Sequence, residues 1–127
     1  MSMKEIQTRE DIVLLVDTFY KQVLEDELIG FFFSKIAALD LQKHMPTMYD
    51  FWESALLGNM VYQGNPMVKH LSLNQKSALK AEHFERWLEL WEKTLTENFT
   101  GKKADDALLR AKQISGLIQF KIHQTAQ

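Results

Sequence analysis

The sequence predicts an all-α protein. Apolar residues recur at steps of three and four almost throughout, and strand-like alternation is absent. Breakers are few, with 5 Gly and 2 Pro in 127 residues, and both prolines fall where segments begin. Hydrophobic residues make up 46%, a globular rather than a disordered composition. The length suits one domain over 1–127.

The first helix is expected near Thr8, where Asp11 three residues on makes a capping-box start. Ile12, Leu15, Val16, Phe19 and Val23 form its buried face, with Tyr20 on the border. It should fail between Asp26 and Gly30, and a kink within it is compatible with the pattern. Phe31, Phe32 and Phe33 follow in a tight turn or short helix. The next helix ends near Gly58, and Pro46, tolerated in a first turn, sets its start, so His44 and Met45 belong at its beginning. Met48, Phe51, Trp52 and Ala55 are its buried stripe. Tyr62 to Pro66 reads as a loop, and Pro66 can open a short helix with Met67, His70 and Leu71 on one face. A long helix follows with Phe84, Trp87, Leu88, Trp91 and Leu95 inside, stopped by Gly101. The last runs from about Ala104 to about Ile122, with Leu108, Ala111, Ser115, Ile118 and Ile122 inward. The stretch from Gly58 to Ala81 is the weakest helix pattern, and such segments are often functional.

Composition narrows the chemistry. Lys and Arg number 15 against 17 Asp and Glu, a net charge of -2, so no basic surplus draws the chain to nucleic acid or an anionic membrane. No cysteine is present, which excludes disulfides, thiolate catalysis, Cys-ligated zinc, iron–sulfur clusters and covalent haem attachment. No apolar run approaches the roughly 20 residues of a membrane span, and the charged N-terminus lacks a signal-peptide core, so a soluble cytoplasmic protein is expected. The aromatics, 8 Phe, 3 Trp and 3 Tyr, leave two readings open: an aromatic core, or the lining of a cavity for a flat apolar ligand.

Four histidines are present, and no two stand three or four apart, so one helix face cannot supply two ligands. One axial imidazole for a haem suffices, because the porphyrin brings four nitrogens of its own. His70, on an apolar face between Met67 and Leu71, is the best candidate; His83, at the start of the aromatic helix, is the rival. The structural alternatives are a partly buried His70 satisfied by a backbone carbonyl and a His83 exposed in a helix's first turn. The Tyr20 hydroxyl and the Trp87 indole face the same choice, a partner within the core or a bound ligand. No phosphate loop, dinucleotide fingerprint or nucleophile elbow is found.

FYKQV at 19–23, the Phe-rich turn ending at Phe33, HMPTMYDFW at 44–52, LLGNMVYQGNPMVKHL at 56–71 and HFERWLELW at 83–91 stand in one order along the chain. With them the sequence resembles the truncated haemoglobins, specifically their third group, from Ile12 to Ile122. The resemblance implies a shortened globin fold in which two helix pairs sandwich haem b (iron protoporphyrin IX). It implies His70 as the iron's proximal ligand and Phe33 as the ring flat against the porphyrin. Tyr20, His44, Met48 and Trp87 would line the distal side, and Trp52 and Tyr62 would also contact the cofactor. Lys43, Lys69 and Arg86 are assigned by position to the propionates.

The expected ligands are O2, NO, CO or peroxide. Tyr20, Trp87 and His44 would act on them, favouring NO dioxygenation or peroxide chemistry over bulk transport. Without a flavin or nicotinamide motif, turnover would need an external, unidentified reductase. A monomer or weak dimer is expected. The competing readings are a haem-based sensor and a haem-free helical interaction module.

Overall fold

The first helix, α1 (Arg9–Glu25), begins at the cap that the sequence predicts. Thr8 takes extended backbone and its hydroxyl accepts from the Asp11 amide, while the Asp11 carboxylate accepts from the amides of Gln7 (2.9 Å) and Thr8 (3.0 Å). The arrangement satisfies amides that have no partner within a helix. Burial opposes the Asp11 charge, but the Lys4 ammonium at 2.6 Å and the two amides outweigh it and hold the carboxyl down at about 2. Lys4 in turn bridges Phe99, its carbonyl accepting from the Thr100 amide at 2.9 Å. The segment before α1, with the buried Ile6, is thereby tied to residues 98–100.

The computed structural model describes residues 3–31, 41–61 and 79–125. Among them three further helices follow: α2 (Leu41–Leu57), α3 (Ala81–Asn98) and α4 (Lys102–Thr125). α1 packs on both α2 and α3, α3 packs on α4, and α2 touches α4. α1 is one helix rather than two, and it stops at Asp26, whose carboxylate accepts from the amides of Leu28 and Ile29 and so turns the chain. Gly30 is needed just beyond. A Cβ there would stand 2.9 Å from the Leu24 carbonyl oxygen and 3.1 Å from that of Val23, both backbone atoms that cannot swing aside.

α2 corrects one expectation. It starts at Leu41, so His44 stands in its first turn as expected, but Pro46 is its sixth residue, beyond the first turn in which proline is tolerated. The ring removes the amide that would reach back to residue 42, the one helical bond a proline costs at this position. Gly58, at φ 77°, ends the helix as expected, and Lys103 Nζ donates to the Leu56 carbonyl at 2.8 Å, satisfying a last-turn acceptor.

The core is aromatic. Trp91, fully buried, stacks on Trp52 (centroids 4.5 Å apart, 25° between planes), takes the Phe19 ring edge-on at 4.9 Å, and donates its indole N–H to the Ala107 carbonyl at 3.1 Å. α4 buries Ala104, Ala107, Ala111, Ser115 and Ile118, while Leu108 is only partly buried. Ala111, Ser115 and Ile118 of the predicted stripe are thus buried, while at its near end Ala104 and Ala107 take the place expected of Leu108, because only a short side chain lets the backbone come within reach of the indole. Its ends lie slightly beyond the predicted ones, at Lys102 and Thr125.

Polar ties set the outer faces. Arg9 donates to Asp50 (2.9 Å) and Glu53 (2.7 Å), joining α1 to α2, and Glu53 also accepts from Asn59. Arg86 on α3 pairs with Asp26 at 3.0 Å. Gln22 and Thr94 join α1 to α3 at 3.2 Å, while the Thr94 hydroxyl donates to Leu90.

Two outcomes are expected. The Asp11 carboxyl lies below its unfolded value of about 3.9, so its contribution is complete above that pH and is lost as pH falls toward 2. Asp11→Asn should cost about 1–2 kcal/mol at neutral pH, with the difference from the parent vanishing in acid, as read by urea unfolding across pH. Gly30→Ala should lower stability by about 1–3 kcal/mol in the same assay, through the forced backbone shift.

Candidate functional site

Tyr20 follows Phe19 on the buried face of α1, and both rings point inward. Phe19 meets Tyr20 edge-on at 5.2 Å and the half-buried Trp87 of α3 edge-on at 5.7 Å. Across from α1, His44 projects from the beginning of α2. Its Nε2 lies 3.0 Å from the Tyr20 hydroxyl, and the two rings meet nearly at right angles with centroids 5.2 Å apart. Met48, one turn further along α2, is partly buried against the same core.

These residues make a wall that is apolar except for one phenol, one imidazole and one indole. Burial pushes the Tyr20 phenol well above its ordinary range, so it keeps its proton at neutral pH. Either group of the Tyr20–His44 pair can donate to the other, depending on which imidazole nitrogen carries hydrogen. If Nε2 does, His44 donates to the phenolic oxygen and the phenolic hydrogen is not spent on His44.

The structure brings Tyr20 and His44 together and sets Trp87 behind Phe19, all from separate helices. Trp52 lies deeper, buried and stacked on Trp91. Phe33, Tyr62 and His70 lie outside the described residues, as does Lys69; of Lys43 only the backbone, in α2, is described. Arg86, assigned by position to a propionate, pairs with Asp26 and more loosely with Glu89. His83 accepts the Lys80 amide at 2.9 Å through Nδ1, closing the first turn of α3, a capping role that the sequence reading did not give it. The Tyr49 hydroxyl, which donates to Asp17, was also missed, because residues 32 apart carry no local signal of contact.

The donor set decides what could sit here. Among the described residues no group of three or more His, Cys, Asp or Glu side chains could hold a metal ion. A wall with no carboxylate and a single imidazole does not suit a bare cation. It does suit a flat apolar cofactor that carries its metal's equatorial ligands with it. Two depressions lie elsewhere, one of about 510 Å³ beside Asp26, Leu28 and Arg86, the other of about 280 Å³ between α2 and α4. Neither is lined by Tyr20, His44 or Trp87. Among the described residues no helix is long and apolar enough to cross a membrane.

Comparison with known proteins identifies the family. The family profile described as "Bacterial-like globin" matches residues 4–120. The group 3 truncated hemoglobin ctb of Campylobacter jejuni is 29% identical over 123 residues, covering 94% of each chain. The crystal structure of a group III truncated hemoglobin from Campylobacter jejuni superposes with a TM-score of 0.82 at 31% identity, covering 95% of each chain. Globins bind haem and small gaseous ligands through it. The profile over residues 4–120 and the likeness in both sequence and structure show the family: the chain belongs to the bacterial-like globins, as a group III truncated haemoglobin.

Proposed function

We propose that the chain binds haem b with His70 as the iron's proximal ligand, and that Tyr20, His44 and Trp87 form the polar side at which O2, NO, CO or peroxide is held. The observation that carries this reading is the 3.0 Å contact between Tyr20 and His44 on an otherwise apolar wall. Met48, Phe33, Trp52 and Tyr62 complete the cofactor's surroundings in this reading, and the two helix pairs α1/α2 and α3/α4 enclose it.

Bound here, haem supplies an iron that takes up small ligands with a shift of electron density onto them. The protein's part is to meet that charge. Tyr20 keeps its proton and can donate it in a hydrogen bond, and His44, accepting or donating at the phenol, sets the direction in which that hydrogen points. Phe19 behind the phenol fixes the ring, so little conformational freedom is lost when the bond forms. Trp87 offers a donor only, which suits an electron-rich ligand. Apolar neighbours keep bulk water out, which strengthens each of these bonds. Hydrogen bonds to charged groups contribute about 1.5–3 kcal/mol, or about ten- to a hundredfold in dissociation. Such retention suits NO dioxygenation or peroxide turnover with an external reductase better than bulk O2 transport.

Tyr20→Phe should therefore speed O2 release by about tenfold or more, measured by stopped-flow mixing of O2-equilibrated ferrous protein with CO or dithionite. An unchanged rate removes Tyr20 from this role. His70→Gly should lose the ferrous absorption spectrum of the parent and regain it with added imidazole. If His83→Gly behaves in this way and His70→Gly does not, the proximal assignment fails. Nitrate formed on mixing O2-equilibrated ferrous protein with NO, and lost with Tyr20→Phe, would place the reaction; slow nitrate formation indifferent to Tyr20 would count against it.

A further inference from the structure

We infer that Trp87, Trp91, Trp52 and Tyr49 form a path that carries an electron hole from the candidate ligand wall to the outer surface, where Asp17 takes the proton. The inference rests on the haem-site reading above, because it needs an oxidant generated there.

All 3 tryptophans of the chain lie in one stack. Trp87 and Trp91 are parallel with centroids 6.2 Å apart, and Trp91 and Trp52 are near-parallel at 4.5 Å. Trp87 is at the end nearest the wall, against Phe19, whose other edge contact is Tyr20. At the other end, Tyr49 stands one turn before Trp52 on α2, so the two side chains are neighbours on the helix surface. The Tyr49 hydroxyl donates to the exposed Asp17 carboxylate of α1, and the Arg9 guanidinium lies 5.9 Å from its ring. Stacking by itself is what an aromatic core would show. A phenol held on a carboxylate at the outer end of that stack is not needed for packing.

The proton positions fit the sequence of steps. An indole that loses an electron becomes a cation radical, and it sheds its proton only to a base. Trp91 holds its N–H on the Ala107 carbonyl, which is not a base, and it is fully buried. It therefore keeps the proton and passes the hole on. A phenol that loses an electron becomes far more acidic, so its oxidation requires an acceptor in place. Asp17 is that acceptor: Tyr49 gives its electron to Trp52 and its proton to the carboxylate, leaving a neutral tyrosyl radical and a carboxylic acid. Arg9, held by Asp50 and Glu53, opposes positive charge on the Tyr49 ring and does not oppose the neutral radical. Desolvation and the bond to Asp17 push the Tyr49 phenol up to about 12, so it starts protonated.

The balance closes with peroxide as the oxidant. Hydrogen peroxide takes up two electrons and two protons to give water. When one of those electrons is drawn through the path, Trp87 is refilled by Trp91, Trp91 by Trp52, and Trp52 by Tyr49. A one-electron reductant of the thiol or ascorbate class at the surface returns the electron to Tyr49, and Asp17 returns the proton. The path would thus drain oxidising equivalents to a replaceable site and spare the wall itself.

The test is freeze-quench electron paramagnetic resonance of the haem-loaded protein after mixing with hydrogen peroxide, with circular dichroism to confirm folding. The parent should give a tyrosyl signal. Tyr49→Phe should lose most of it, with tryptophan radical accumulating in its place. Asp17→Asn, an exposed change away from the candidate wall, should weaken the tyrosyl signal severalfold while the haem spectrum and peroxide consumption stay as in the parent. A tyrosyl signal unchanged in Tyr49→Phe and in Asp17→Asn overturns the path while leaving the haem reading in place. A protein that takes up no haem, with no Soret band, overturns both.

Discussion

Trp91 is where the four described helices meet. It comes from α3, stacks on Trp52 of α2, takes the edge of Phe19 of α1 and holds the Ala107 carbonyl of α4 through its only polar atom. An indole N–H buried without a partner costs about 1–3 kcal/mol, so this contact sets how closely α4 must approach. The alanines on the inner face of α4 follow from it, since a bulky residue at Ala107 or Ala111 would hold the backbone away. Edge-on and offset ring pairs add about 0.5–1.5 kcal/mol each beyond their buried area. They are directional, and so they fix the rotation of each helix as well as its distance.

The candidate site follows from that rotation. Phe19 is locked against Trp91 and Trp87, and Tyr20, the next residue along α1, is turned toward α2. His44 reaches the phenol because α2 begins at Leu41, which places it within a formed helix instead of on a loose approach to one. Arg9, binding Asp50 and Glu53, holds α1 and α2 in register from the outside. The partly exposed Arg9–Asp50 contact is worth little by itself, whereas Glu53 is buried. The two contacts matter because they converge on one guanidinium, which makes the alignment specific. The core thus presents two polar groups to an apolar space without leaving either one without a hydrogen bond.

The same packing gives the aromatic residues two uses. Phe19 and Tyr20 shape the wall, while the stack behind them extends toward the outer face of α2. A core built from aliphatic residues could bury as much apolar surface and would offer no redox-active groups. That 11% of the chain is aromatic therefore supplies a packed interior among the described residues and, in the proposed reading, the side of a site for a flat ligand.

Sequence alone determined the local features. The capping box at Thr8, the stop at Gly58 and the helical stripes of α1 and α3 rest on interactions within a few residues, and all were legible because their causes are adjacent in the chain. The family was legible as well, through ordered motifs such as YQGNP before KHL and the later RWLELW, which together leave few other readings. The start of α2 was not legible, since Pro46, expected in the first turn, is the sixth residue of the helix. Tertiary structure decided the rest: that Tyr20 meets His44, that Trp91 chooses Ala107, that Arg86 goes to Asp26 and Tyr49 to Asp17. Each joins residues many positions apart, and no periodicity encodes them, because they depend on how far each helix is rotated about its axis, and that is settled only when the rings pack.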